Sequence, residues 1–407
     1  MLSVSSLPVR KNLKTCVRHF TWAWYTIVMG TCVVASLVNR FHWGSGSEPN
    51  KVLTLVLFFC SLLCFVLISA ASVARYIIFP ELWSAMLRHP IQSLFISAMP
   101  MAGCSLINIA LVAHQKYGFS NHSRAFLYAL WAFWWLDVVI SVVIAFGMLH
   151  VMMTKQKHSL EQLSCLAMLP VLPWIVASAT GGLLATALPT QSTLTIAVSA
   201  ILGIAGLSIA FMVITAYLLR LLLHGPPDTS LILASFIPLG PMGQGGFSLL
   251  LIAEYLSTRN VDLGPLISPS AVASVAFCLA WTLWSLGLFW LGMTLCMIYA
   301  SVRQKRVPYS IGYWGMIFPT GVMALLTVEM GDLLKSAVIQ YIGVTFSIGV
   351  ALLWVFVVVK TIPAVWNTTA FNSPCATKLD EEKLSTACST AVCMSTIPRI
   401  SMGSGFS

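Results

Sequence analysis

Ten long apolar runs follow one another along the chain, each of 20 or more residues, with short polar stretches between them. They occupy residues 19–38, 52–78, 91–113, 125–153, 162–188, 193–223, 230–256, 269–302, 309–328 and 336–365. About 20 apolar residues in a helix are needed to cross about 30 Å of hydrocarbon. The pattern therefore predicts an all-α integral membrane protein with ten transmembrane helices, the longest of which must tilt or extend past the bilayer. The flanks divide the chain further. Residues 1–18 are polar and basic, and the run after them is too long for the h-region of a signal peptide, so it reads as a retained first span. Residues 19–365 form the membrane domain. Residues 366–407, rich in Ser, Thr and charge, read as a disordered cytoplasmic extension.

Composition supports lipid as the surrounding solvent. Of 407 residues, 58% are hydrophobic and 8% charged, against roughly 25% charged in soluble proteins. So few charges cannot cover a water-facing surface. The formal charge is +10, which in a soluble protein would suggest nucleic acid. Here topology accounts for most of it. If the N-terminus is cytoplasmic, only Arg40, Lys51, Lys116, Arg124, Arg259 and Lys335 lie outside, and the other 16 of the 22 Lys and Arg lie inside. That bias places both termini in the cytoplasm, which requires an even number of spans. The remaining positive excess favours anions as cargo.

Proline marks one class of span. Pro100 lies in the third, Pro170 and Pro173 in the fifth, Pro238 and Pro241 in the seventh and Pro319 in the ninth, whereas even spans hold proline only at an end. Proline removes a helix hydrogen bond and clashes with the carbonyl four residues back. Backbone groups freed in this way cannot face lipid and need protein or a water-filled cavity. Odd helices are therefore expected as a kinked inner ring and even helices as an outer ring, in five helical hairpins around a central pore. The first span lacks proline but carries Gly30 near its centre, with Thr31 beside it.

Several segments resemble one family. Phe20-Thr-Trp-Ala-Trp-Tyr-Thr-Ile-Val-Met-Gly-Thr31, Gly240-Pro-Met-Gly-Gln-Gly-Gly-Phe247 and Tyr313-Trp-Gly-Met-Ile-Phe-Pro319 are similar to the first, seventh and ninth helices of the tellurite-resistance and dicarboxylate transporter family. That family includes plant slow anion channels, yeast malate permease and fungal sulfite efflux pumps. The sulfite-pump branch is the most similar, through Trp134-Trp-Leu-Asp137, Leu169-Pro-Val-Leu-Pro173 and Ala177-Ser-Ala-Thr-Gly-Gly182. The resemblance covers nearly all of residues 19–362. It implies a homotrimer in which each protomer has ten helices and its own pore, with Phe318 as the gate. One departure stands out: the first-helix motif usually ends Thr-Gly, whereas this chain has Thr31-Cys32. A side chain there would narrow the pore or alter substrate choice.

The residues themselves allow two readings at most positions. Phe318 precedes Pro319, where an aromatic ring at a kink can block water and ions or simply pack. The run Gly240–Gly246, with Pro241, makes a weak helix; an opened turn would offer backbone groups to an ion, with Gly243, Gln244 and Gly245 on the path. Close helix packing through small residues is the other reading. Gln244 is the polar side chain expected to touch substrate. Gly181-Gly182 in the fifth span allows the same two readings, with packing favoured. Asp137 is the most deeply placed acid, either a proton-coupling group or a hydrogen-bonded structural carboxylate. The 11 cysteines lie mostly in apolar runs without a CxxC pair, and the histidines His114, His122, His150 and His158 form no metal spacing. The 14 tryptophans are expected in interfacial belts and packing. Asn121-His-Ser123 is a glycosylation sequon on the expected outer side.

No cofactor or metal is called for, and no cluster of ligand-type residues supports a membrane enzyme. The loops are too short for a receptor domain. The expected function is a plasma-membrane anion transporter or channel, with sulfite efflux through a gated pore, or alternatively export of malate or another small organic acid.

Overall fold

The computed structural model describes residues 11–41, 47–119, 123–259, 268–304 and 309–381, and among them the regular structure is entirely helical. A short helix α1 (Leu13–Arg18) leads into α2 (Tyr25–Asn39), α3 (Glu48–Ile78) and the amphipathic α4 (Glu81–Arg88). Then come α5 (Ala98–Tyr117), α6 (Arg124–Lys155), α7 (Leu172–Ala187) and α8 (Ser192–His224). The last four are α9 (Leu239–Thr258), α10 (Pro269–Gln304), α11 (Trp314–Leu333) and α12 (Ala337–Trp366). Nine segments among the described residues are long and apolar enough to cross a membrane. The α7 helix, at 16 residues, is shorter. It rises about 24 Å, and the tight turn Cys165–Met168 before it adds about 8 Å at the steeper 3₁₀ rise.

The helices sort into two layers by burial. In the apolar windows that contain α2, α5, α9 and α11, 67% to 89% of residues are buried, and α7 is buried almost throughout. In α3, α6, α8, α10 and α12 the share is only 22% to 33%. The five inner helices close a ring, with α2 on α5, α5 on α7, α7 on α9, α9 on α11 and α11 on α2. Each packs along the outer helix that follows it in the chain. The exposed faces of the outer layer carry Leu63, Phe133, Ile201, Phe289 and Leu352, side chains suited to lipid.

The prolines act differently from the mid-helix kinks expected of them. Each inner helix is preceded by a 3₁₀ turn, at Trp22–Trp24, Ser93–Ser97, Cys165–Met168, Ile232–Phe236 and Ile311–Tyr313. Pro100, Pro173 and Pro241 then sit in the first turn of α5, α7 and α9, where a missing N–H costs nothing because it has no intrahelical partner. The carbonyl four residues before such a proline must find another donor, and it takes the N–H three residues on. Gly240 N–H donates to the Ile237 carbonyl at 2.8 Å, Leu172 N–H to Leu169 at 3.3 Å and Leu169 N–H to Leu166 at 2.9 Å. These i to i+3 bonds define the 3₁₀ geometry. Among the described residues, Pro319 is the one proline beyond the first turn of an inner α-helix.

Small residues and tryptophans hold the layers together. A Cβ at Gly243 would come within 2.6 Å of the Met323 backbone nitrogen, one at Gly321 within 2.6 Å of Val33, and one at Gly182 within 2.9 Å of Leu251. Inner helices thus touch through glycine, as in other membrane bundles. Indole N–H groups bridge helices: Trp134 to the Ala177 carbonyl (2.9 Å), Trp284 to Thr327 (3.1 Å), Trp314 to Thr361 (2.9 Å) and Trp354 to Thr31 (3.2 Å). The expectation of tryptophan as belt and apolar packing omitted this role. An indole donor inside the bundle has no water to bond and needs a protein acceptor.

The start of the C-terminal extension packs back on the helical domain. Residues 367–381 are ordered and return across the ends of α1 and α3, with 374–381 helical. Lys11 N–H donates to Thr368 Oγ1 (2.9 Å), the Ser373 N–H to His19 Nδ1 (3.4 Å), and Arg18 pairs with Asp380. Cys375 and Ala376 are buried. A composition rich in Ser and charge hid the contact, because the acceptors and donors it meets lie more than 280 residues away in sequence. Residues 382–407 lie outside the described residues, as do Asn121 and His122 of the sequon.

Candidate functional site

A cavity of about 50 Å³ lies on the axis of the inner ring. All five inner helices contribute to its wall, and each does so with its first turn or the residue beside it. Thr26 comes from α2, Ala98 from α5, Leu172 from α7, Gly240 and Pro241 from α9, and Trp314 and Gly315 from α11. A helix N-terminus carries about half a positive elementary charge from its unpaired N–H groups. Five such helix starts point their dipoles at one small space with no fixed cation on its wall, although the 3₁₀ turns already pair some of the N–H groups, as with Gly240 to Ile237 and Leu172 to Leu169. The wall is otherwise apolar, with Met29, Phe95, Met101, Ile175, Val176, Ile237 and Phe318. Its polar side chains are Thr26, whose hydroxyl is bonded to its own helix at the Ala23 carbonyl (2.6 Å), and Gln244.

A vestibule of about 380 Å³ adjoins the cavity and shares Thr26, Phe95, Ile237 and Gly315 with it. It is bounded by the 3₁₀ turns that open the inner spans, by Arg75 and Gln92, and by Asn372 and Pro374 of the returning tail. His19 and His89 stand at this end outside the spanning helices. Burial, followed by nearby cations (Lys11 and Arg18 for His19, Lys378 for His89), lowers the pKa of both from the ordinary 6.5. On the other side of the cavity the inner helices close on one another. Val322, Met323 and Leu326 of α11 are buried, Gly321 abuts Val33, and a Cβ on Gly246 would strike Leu326. At that far end Arg40 is ion-paired with Glu329.

Four of the residues singled out from sequence meet on the cavity wall: Phe318, Pro319, Pro241 and Gln244. The others are elsewhere. Gly30 faces Ile317 and Trp314 of α11, and Thr31 accepts the Trp354 indole from α12. Gly243 makes room for the α11 backbone, and Gly245 for Leu207 of α8. Pro100 and Pro170 are buried at the turn-to-helix junctions and do not line the cavity. The opened turn expected over 240–246 does not form, because α9 runs unbroken from Leu239 and the irregularity lies upstream, before Pro238. Gly181 packs against Ser199 and Trp134, and Gly182 against Leu251, so that pair serves packing. Cys32, the departure from the first-helix motif, bonds toward Ser61 of α3 and does not narrow the lumen.

Asp137 is buried on α6 with its carboxylate turned toward α5, where Cys104 Sγ donates at 3.0 Å; Ser141 Oγ is 3.4 Å away. Gly103 clears space for it, since a Cβ there would lie 2.9 Å from Oδ1. The carboxylate is behind the inner ring and off the cavity wall. His114 contacts the Phe119 carbonyl, and no group of three metal-type ligands occurs among the described residues.

Sequence reasoning missed Thr26, Phe95, Gly315 and Arg75. Gly315 had a signal: four residues before Pro319, its carbonyl loses the usual α-helical donor, and a Cβ there would meet open space.

A family model described as voltage-dependent anion channel matches residues 19–362. The chain belongs to this family. Among its relatives, the sulfite efflux pump of Arthroderma otae is 31% identical over 87% of this chain and 92% of its own. That of Trichophyton rubrum is 30% identical over 85% and 91%. A putative malic acid transport protein of Schizosaccharomyces pombe is more distant, 20% identical over 88% of this chain and 82% of its own. Membership in a channel family agrees with the axial cavity, and the protein is a multi-pass membrane protein that moves anions.

Proposed function

We propose that the chain exports sulfite across the plasma membrane, through a pore closed in this conformation beside Phe318. The observation that carries the reading is the convergence of five α-helix first turns on one small, otherwise apolar cavity. Such a site attracts an anion by dipoles but holds it weakly, which suits flux over tight binding. Selectivity then rests on size and on the energy of dehydration. The sulfite efflux pumps among the relatives supply the substrate class. Sulfite is favoured over malate because the sulfite pumps are the more similar relatives, at 31% and 30% identity against 20% for the malic acid transport protein.

In this reading the Phe318 ring blocks the lumen and swings aside to open it. Gln244, whose amide makes no hydrogen bond among the described residues, coordinates the passing anion. Asp137 is structural and does not couple transport to proton movement. The ten apolar segments all cross the membrane as five inner–outer hairpins, both termini are cytoplasmic, and the vestibule is the inner mouth. The protein acts without a cofactor, as a homotrimer with one pore per protomer. The direct test is sulfite efflux from vesicles reconstituted with purified protein, compared with protein-free vesicles. Equal rates in the two would refute export.

A further inference from the structure

Arg75 sits near the end of α3, is 1% exposed and forms part of the vestibule wall. Its surroundings are unusual for a buried cation. No carboxylate lies within ion-pairing distance of it among the described residues. The carboxylates nearest to this end, Glu81 and Asp380, face Arg18. The guanidinium instead donates to the Ser373 hydroxyl at 3.0 Å, the Cys375 sulfur at 3.4 Å and the Tyr76 hydroxyl at 3.4 Å, and its Nε is buried without a partner. All three acceptors are neutral, and sulfur is a weak one. By contrast, Arg40 at the opposite end has its carboxylate.

A buried guanidinium is costly unless a negative group compensates it. Its planar fork matches the oxygens of an oxyanion in a bidentate pair. Arg75 has the cavity space for such a ligand beside it, because the 380 Å³ vestibule is open against its wall. Two of its present acceptors come from the returning tail. The Ser373 hydroxyl, which also donates to Gln92 Oε1 at 3.2 Å, stands where an oxyanion oxygen would stand.

Building on the export reading, we propose that Arg75 is an oxyanion-capture site in the vestibule, and that Ser373 and Cys375 occupy it when no anion is bound. A small inorganic oxyanion with two free oxygens, such as sulfite, takes the fork of Arg75 with Gln92 and displaces residues 373–375. The tail segment is thus a built-in competitor of the transported anion.

The test is calorimetric titration of sodium sulfite into the purified full-length protein in detergent, with vesicle efflux measured in parallel. Arg75→Gln is expected to weaken binding about tenfold or more and Arg75→Lys less, since lysine keeps the charge but not the fork. Ser373→Ala removes the competitor and is expected to tighten binding severalfold. A folded Arg75→Gln protein with wild-type affinity overturns the site. If that variant fails to fold, unchanged or weakened binding in Ser373→Ala overturns it. Binding that follows the expected order in a protein without efflux sustains the site and refutes export. Efflux with binding indifferent to Arg75 does the reverse.

Discussion

The indole nitrogen of Trp290 lies 3.0 Å from the carbonyl oxygen of Ser235. Residue 238 explains the pair. In the 3₁₀ turn Ile232–Phe236 the Ser235 carbonyl would look three residues on for a donor, and it finds Pro238, which has no N–H. Trp290 and the Thr294 hydroxyl, also at 3.0 Å, replace it from α10. An outer helix thus completes the backbone of an inner one at the level where the cavity begins.

Replacing either donor alone should be mild. Trp290→Phe or Thr294→Val leaves the carbonyl one partner, at a cost of about 0.5–1.5 kcal/mol. The double variant leaves a buried carbonyl unsatisfied, about 1–3 kcal/mol on top of the two single losses. Thermal unfolding in detergent reads the effect. Strict additivity would contradict the account.

Glycines divide by what faces them. Gly243 abuts the α11 backbone, which cannot yield, so Gly243→Ala should destabilise by about 1–3 kcal/mol through overpacking. Gly240 and Gly315 have nothing within 4 Å of an added Cβ and line the cavity. Gly240→Ala and Gly315→Ala should therefore leave the melting temperature unchanged while reducing flux. Equal loss of stability in all three variants would contradict this division.

Asp137→Asn should keep anion flux and its pH dependence, because the carboxylate lies behind α5 with Cys104 and Ser141 as partners. Loss of flux with the protein still folded would return Asp137 to a coupling role.

Acid should loosen the tail. His19 Nδ1 accepts the Ser373 N–H and must be neutral to do so. Burial, and then Lys11 and Arg18, lowers its pKa below 6.5 in the docked state, while Asp380 acts in the opposite sense. The undocked histidine binds the proton more tightly, so docking is at full strength above about pH 6.5 and is lost as pH falls below that toward the lower pKa of the docked state. Amide protection in residues 373–381, taken relative to the intrinsic exchange rate at each pH, should be lower at pH 5.5 than at pH 7.5, and His19→Gln should flatten the difference. Protection that is unchanged or rises on acidification would contradict the assignment.

Much of the architecture was legible in the chain. Apolar length located the helices, and proline parity separated inner from outer spans because freed backbone groups must avoid lipid. What parity did not reveal was mechanism: the same prolines sit in first turns and shape 3₁₀ entries instead of kinks. Phe318, Pro319, Pro241 and Gln244, singled out from motifs and proline positions, line the cavity. The glycines of those motifs were misplaced, because Gly243 and Gly245 read alike whether they face a lumen or a neighbouring helix. Arg75 looked like one more inner-end cation until Ser373, 298 residues away, was seen bonded to it.

The central claim is that one ring, Phe318, closes an anion path on the axis of the inner helices. Sulfite efflux from vesicles holding wild-type or Phe318→Ala protein, matched for amount and folding, tests it most directly. The account expects the variant to leak sulfite about tenfold faster, a barrier lowered by ~1.4 kcal/mol. A folded variant with wild-type or slower efflux would contradict it.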